Sequence, residues 1–462
     1  MTLTRYDLMV IGAGAAGSSA ANEAATHGMR VGLIERDKLG GTYLNYGCDP
    51  TKALLHIASI RHQAQQATIY GIQIPSADVD WPGIQRYVQC VIEQVRGGTP
   101  IQAREKLRQR GIEVIEGEAE FISEHEMGIG GRLYEAARII ITAGSHTITP
   151  PIRGLDHTGF LTNVDVMKLP QLPHSLAIIG GGPLGVEFAQ MFRRFGVEVT
   201  LLESKPTLLE HEDSELVKLL EQVLRQEGIQ IETGVTLQQA ELTPQGKRLR
   251  FQDTSRRQRE LDVTDILLAT GREPNLAPLH LEAADVRSDN NRILVDATLR
   301  TSVPHIWAAG DVIGGMRLTH VASAQGKAAA RNALSHHPQN FNLQVVPWVI
   351  FTDPPLAHVG STEEQLRASG IPYRVGRTPF KENARAIVNG RTTGLIKLLI
   401  DEQNQVLGAH ILGDRADDLI TPIVLAMRNN LGVEQLASTT IQYPTLSESV
   451  RWASVRTTPG KG

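Results

Sequence analysis

Two segments of this chain repeat one pattern. Tyr6-Asp7-Leu8-Met9-Val10-Ile11 runs into Gly12-Ala13-Gly14-Ala15-Ala16-Gly17, and Leu176-Ala177-Ile178-Ile179 runs into Gly180-Gly181-Gly182-Pro183-Leu184-Gly185. In each, an apolar run ends at glycines spaced GxGxxG and continues into a helix-forming stretch. The apolar run reads as a buried parallel strand. The first glycine allows a tight turn, the second lets the backbone approach a pyrophosphate, and the third lets helix and strand pack closely. The helix N-terminus then offers unpaired N–H groups and partial positive charge to the phosphates. Each copy is followed by a second strand ending in an acid, Glu35 after Arg30–Ile34 and Glu203 after Val197–Leu202, placed for a ribose hydroxyl. One such motif is weak; two in the same strand–turn–helix context define two dinucleotide-binding beginnings.

The expected fold is therefore α/β, with two Rossmann-like domains. Ile139-Ile140-Ile141-Thr142-Ala143-Gly144-Ser145 and Ile266-Leu267-Leu268-Ala269-Thr270-Gly271-Arg272 read as equivalent strand ends, each closing one excursion. Ala143, Gly144 and Gly271 are accordingly counted with the cofactor-binding residues. Pro150-Pro151 marks a linker into an inserted second unit. Near Pro347 the character changes to strand-like runs such as Leu395–Ile400. The expected division is 1–149 for the first nucleotide-binding domain, 150–267 for the second, 268–345 for the resumed first, and 346–462 for a separate α+β domain. Ile84, Tyr87, Val88, Val91 and Val95 form an apolar helical stripe, with Cys90 off it.

Composition limits the rest. A chain of 462 residues has room for about three domains. A net charge of −4 gives no reason to expect nucleic acid or an anionic membrane as partner. No apolar run approaches the roughly 18 residues of a spanning helix, and the apolar N-terminus lacks the basic region of a signal peptide. Two cysteines in so long a chain point to a reducing cytoplasm rather than a disulfide scaffold. None of the 15 histidines falls in an HExxH or CxxC-type array, so no metal site is expected.

Gly40-Gly41-Thr42-Tyr43-Leu44-Asn45-Tyr46-Gly47-Cys48-Asp49-Pro50-Thr51-Lys52 resembles the redox-active helix start of the FAD- and NAD(P)-dependent disulfide oxidoreductases, such as dihydrolipoamide dehydrogenase, glutathione reductase and mercuric reductase. Further segments share the resemblance: Ala308–Val312, Thr319–Gly326, Val349–Pro354 and Tyr443–Glu448. It implies FAD at the first fingerprint, with Gly12, Gly14, Gly17, Glu35, Thr42, Lys52 and Asp311, the last on the ribityl chain. The nicotinamide nucleotide falls to Gly180, Gly182, Gly185 and Glu203. A carboxylate at Glu203 repels a 2′-phosphate and favours NADH; Lys205, two residues on, leaves NADPH open. The resemblance also implies a Lys52–Glu187 pair beside the flavin, a C-terminal dimerisation domain, and a homodimer whose partner completes the site.

Where the family pattern has two cysteines, this chain has Tyr43 and Cys48. Where it has HPTxxE, this chain reads Tyr443-Pro444-Thr445-Leu446-Ser447-Glu448, with the glutamate kept. A phenol cannot close a disulfide, and a tyrosine titrating near pH 10 is a poor base for a thiol exchange that must protonate its leaving group. Cys90, over 40 residues from Cys48 on another helix, is not expected to replace the lost thiol. Mercuric reductases share the tyrosine but take up metal through a C-terminal cysteine pair, which is missing after Thr457, so mercury reduction is not expected. The expected activity is hydride transfer from NADH to flavin and then directly to a small non-disulfide acceptor: quinone, nicotinamide, metal complex or oxygen. Its site residues would be Lys52, Glu187, Cys48, Tyr43, Tyr443 and Glu448, with the acceptor near Tyr43, Tyr46 and Tyr443. The alternatives are a peroxidase or oxidase cycling Cys48 through sulfenic acid, and a non-catalytic nucleotide-binding flavoprotein.

Overall fold

In the computed structural model, which describes residues 3–289 and 291–460, Leu8–Ile11 is buried at every position. It lies in a five-stranded parallel sheet in the order Ile306–Ala308, Ile139–Ile141, Leu8–Ile11, Val31–Glu35, Ile112–Glu116. The chain thus leaves this sheet after Ile141 and returns at Ile306. Tyr6 does not extend the central strand. It ends a separate strand, Thr4–Tyr6, paired to Arg132–Ala136 in a smaller sheet, and Asp7 breaks the run by accepting a hydrogen bond from the Arg30 amide at 2.8 Å.

The second sheet repeats the first. Its order is Gln230–Thr233, Glu198–Glu203, Ser175–Ile179, Asp265–Leu268, all parallel. Asp265–Leu268 stands beside Ser175–Ile179 as Ile139–Ile141 stands beside Leu8–Ile11. Each excursion before that closing strand is made of antiparallel strands.

The helices Ala15–Thr26 and Pro183–Arg194 begin at Gly14 and Gly182, neither of which supplies a side-chain cap. Several other helices, by contrast, have a side-chain cap, among them those closed by Asp80, Thr99, Thr162, Asp213 and Thr362. The two fingerprint helices therefore keep their first amides free for a ligand.

The C-terminal part forms a six-stranded antiparallel sheet ordered Trp348–Ile350, Leu356–Gly360, Val406–Leu412, Leu395–Ile400, Arg374–Pro379, Thr457–Pro459. The fold class is the one expected. The helix Trp81–Arg96 corrects one detail: it buries Trp81, Val88 and Ile92, while Tyr87 and Val95 are exposed. The buried face is rotated toward Trp81, whose indole donates to Leu169 O at 2.9 Å. Cys90 is exposed. Among the described residues, no helix is long and apolar enough to cross a membrane.

Candidate functional site

The two fingerprints repeat down to their collisions. A Cβ on Gly12 would strike Thr142 O and one on Gly17 would strike Gly12 O, while Gly14 has nothing within 4 Å. At the second copy, a Cβ on Gly180 would strike Ala269 O and one on Gly185 would strike Gly180 O, while Gly182 again faces open space within 4 Å. Two glycines per motif are demanded by the fold. The third leaves room for a ligand.

At the first fingerprint that room is part of a cavity of about 380 Å³ lined by Gly12, Gly14, Glu35, Thr42, Ala143 and Gly144, with Ser145 and Arg272 on its wall. Glu35 accepts hydrogen bonds from Ala13 N and Asp37 N, both at 2.9 Å, which aims its carboxylate across the glycine turn. Burial pushes that carboxyl above its ordinary range, against the two amides. Asp311 stands one side chain behind, accepting from Ser145 Oγ at 2.5 Å. Arg272 donates to the same Ser145 Oγ at 2.8 Å and lies 4.0 Å from Asp311. Its guanidinium is held below its ordinary range by burial. Arg272 and Ser145 had no assigned role from the sequence; the signal was their place in the two equivalent strand ends. Gly271 does not line this cavity. It turns the chain (φ 99°) and accepts from Ile148 N at 3.1 Å.

At the second fingerprint, Glu203 accepts from Gly181 N, from Lys205 N at 2.7 Å and from Ser204 Oγ at 3.1 Å. The Lys205 ammonium pairs with Glu210 at 3.3 Å.

Lys52 and Glu187 do meet. Lys52 Nζ lies 2.9 Å from Glu187 Oε2 and 4.6 Å from the centre of the Phe351 ring. The other carboxylate oxygen accepts from Phe351 N at 2.8 Å. The contact joins the helix Cys48–Gln66, the second fingerprint helix and the start of the C-terminal part.

Cys48 opens its helix after Gly47, which provides no side-chain cap. The thiol is exposed and free, with Thr319 Oγ1 3.2 Å from Sγ. Asp49 beside it has a buried Oδ2 with no hydrogen-bond partner among the described residues, and burial pushes its carboxyl up. Tyr43 faces a second cavity, of about 350 Å³, shared with Ser19, Asn22, Thr319, Ser323 and Lys327. Burial raises its phenol, helped by the neighbouring Asp49 and Cys48. Thr319 touches the thiol and lines this cavity, so it links the two; residues 271 apart in sequence give no local signal of this.

The expected three-tyrosine cavity is corrected. The short helix Gly41–Asn45 ends before Tyr46, so Tyr46 turns away from Tyr43. It lines the first cavity instead, buried, with its phenol raised by burial and by Asp37. Tyr443 is 75% exposed, and Glu448 accepts from Thr445 N at 3.1 Å, at the start of its own helix. Neither lines the two cavities.

Two glycine turns, each with an acid pinned across it, and a cation and thiol on a third helix between them define a two-nucleotide oxidoreductase. Residues 6–326 match the pyridine nucleotide-disulphide oxidoreductase family, and 346–454 match that family's dimerisation domain. A mercuric reductase of Streptomyces lividans is 36% identical, covering 98% of this chain and 96% of its own. A dihydrolipoyl dehydrogenase of Bacillus subtilis is 33% identical over 97% and 98%. The HOCl-induced flavoprotein disulfide reductase RclA of Escherichia coli, solved as a Cu(II) complex, superposes with a TM-score of 0.87 at 30% identity, covering 98% of this chain and all of its own (100%). The chain belongs to the pyridine nucleotide-disulphide oxidoreductase family, and it is an FAD-dependent NAD(P)H oxidoreductase.

Proposed function

We propose that this enzyme oxidises NADH and delivers the electrons from flavin directly to a small non-disulfide acceptor. The observation that carries the reading is Tyr43: a phenol stands at the acceptor-side cavity where a disulfide relay needs a thiol. Cys48 and Cys90 are both free, and they lie on different helices.

The residues fit the cofactors the family uses. FAD belongs at Gly12, Gly14, Gly17, Glu35, Thr42, Ala143, Gly144 and Asp311, where the open face of Gly14 and the uncapped helix leave a phosphate cradle. When bound, the flavin supplies two-electron chemistry; the chain supplies position and charge. Lys52 holds a cation at that site, oriented by Glu187. The nicotinamide nucleotide belongs at Gly180, Gly182, Gly185 and Glu203, with Gly271 turning the neighbouring strand end. NADH is preferred because Glu203 is fixed at the ribose position, while the Lys205 ammonium is paired with Glu210. Thr319, Ser19, Ser323 and Lys327 give the acceptor a polar, hydroxyl-rich approach to Tyr43. A quinone, a nicotinamide, a metal complex or oxygen meets that description. Asp49, whose buried Oδ2 lacks a partner among the described residues, can hold a proton beside Cys48. The four-segment division at 149, 267 and 345 places these groups on three domains, and a homodimer through the dimerisation domain brings Tyr443 and Glu448 of one copy toward the site of the other.

A second reading rests on the exposure of Cys48: a single thiol cycling through sulfenic acid as a peroxidase or oxidase. Replacing Cys48 with serine separates the two. Direct transfer keeps steady-state turnover with quinone or Cu(II) acceptors, whereas thiol cycling loses it. Sustained oxidation of dihydrolipoamide by the unsubstituted enzyme would sink the first reading.

A further inference from the structure

Away from both cavities, the turn between the strands Ala119–Phe121 and Glu126–Ile129 meets the turn before Ile306–Ala308. Glu124, His125 and His305 come together there, offering ligand atoms within 4.8 Å of one another. The two imidazoles stack with ring centres 3.9 Å apart and planes 13° from parallel.

The hydrogen bonds fix which nitrogens are free. His125 Nδ1 lies 3.1 Å from Ala136 O and His305 Nε2 lies 2.9 Å from Glu124 O. A carbonyl only accepts, so those nitrogens carry the protons. The lone pairs are left on His125 Nε2 and His305 Nδ1. A ring held by a backbone carbonyl through its other nitrogen is the usual arrangement of a metal-ligating histidine. Both backbones are anchored as well: His125 O accepts from Ala136 N at 3.1 Å and His305 O from Ile139 N at 3.0 Å. Among the described residues, the Glu124 carboxylate has no hydrogen bond or ion pair. Two imidazole nitrogens and an uncommitted carboxylate form a donor set of borderline softness.

We propose that Glu124, His125 and His305 form a surface site for a divalent cation of the zinc or copper(II) class, with water completing the shell. Zn–N bonds of about 2.0–2.1 Å place tetrahedral ligand atoms about 3.3 Å apart. Parallel rings cannot both aim a lone pair at one ion, so binding splays the stacked pair into a V. His125 and Glu124 are solvent-exposed and His305 is half-exposed, which leaves room for that movement. The site stands independently of the acceptor assignment.

The test uses tag-free, FAD-loaded protein in a Cys48→Ser, Cys90→Ser background, which removes both thiols as competing ligands. Calorimetric titration with Zn²⁺ is expected to show a single saturable site per chain. Losing an outer-shell partner costs about 10–100-fold in metal affinity, so His125→Ala and His305→Ala should each weaken binding by at least about 100-fold. His280→Ala, which removes an exposed histidine paired to Glu120, should leave it unchanged. Equal affinity in all variants, or no saturable uptake, overturns the proposal. Should a variant fold poorly, electron paramagnetic resonance of Cu²⁺ on the histidine-intact protein decides instead. Coupling to two imidazole nitrogens is expected, and a signal without nitrogen coupling refutes it.

Discussion

Glu187 is where three parts of the chain are tied together, which makes it the most informative residue to perturb. Its side chain is buried and accepts from Lys52 Nζ at 2.9 Å and from Phe351 N at 2.8 Å. At 2.9 Å two unit charges attract by about 6 kcal/mol at an effective dielectric of about 20. Desolvation offsets most of this, leaving about 1.5–3 kcal/mol, the usual worth of a hydrogen bond to a charged group. The Lys52 side chain is 33% exposed, so screening moves the expectation toward the lower end. Glu187→Gln keeps an oxygen for the Phe351 amide and should lose only this amount. Glu187→Ala also orphans that amide, and should cost about 3–5 kcal/mol, as breaking a buried pair does. Adding Lys52→Met to Glu187→Gln removes the stranded cation, so the double variant should be less destabilised than the sum of the singles. The assay is denaturant titration of the FAD-loaded protein at fixed concentration, followed by flavin release and circular dichroism. A multi-part flavoprotein need not unfold in one step, so the order of midpoints is the readout: wild type, then Gln, then Ala. Equal midpoints for Gln and Ala would refute the role given to Phe351 N, and strict additivity would refute the ion pair.

The glycines separate folding from binding. Gly182→Ala has open space for its methyl, so the variant should fold and keep FAD while its KM for NADH rises about tenfold or more; unchanged KM would contradict the pyrophosphate assignment. Gly185→Ala would strike Gly180 O and should yield little folded protein, which expression and circular dichroism will report. Glu203→Gln should lower the ratio of kcat/KM for NADH to that for NADPH by about tenfold, from loss of one charged partner. His410 is fully buried, and burial with His358 alongside holds it well below its ordinary range. The unfolded chain therefore binds a proton that the folded chain refuses, and this stability is complete above about pH 6.5 and lost as pH falls. Its largest slope is about 1.4 kcal/mol per pH unit. His410→Gln, which keeps a donor for Ser361 O, should flatten the acid limb of thermal stability; parallel profiles would refute the assignment.

The fingerprints were legible because their constraints are local. Gly17 is required by Gly12 O and Gly185 by Gly180 O, each five residues away, and the GxGxxG spacing encodes that collision. Glu35 and Glu203 were legible because each ends the strand after its fingerprint, 22 residues beyond the amide it accepts from. Contacts that span the chain were not: Thr319 reaches Cys48, and His125 stacks on His305, with no repeat or spacing to announce either. Tyr43 and Tyr46 part because the short helix ends at Asn45, and the turn at Tyr46-Gly47 sends one ring into each cavity. Tyr87 and Val95 matched an apolar stripe by period alone. Burial went instead to Trp81, whose indole nitrogen finds the Leu169 carbonyl.

The most direct measurement is an anaerobic titration of the FAD-loaded enzyme with NADH, following flavin absorbance to its end point and then counting thiols. Full bleaching after a single hydride per flavin, with no new thiol, is the predicted result. Uptake of twice that amount, with a pair of cysteine thiols appearing as the flavin is reduced, would mean that sulfur stores electrons in this protein.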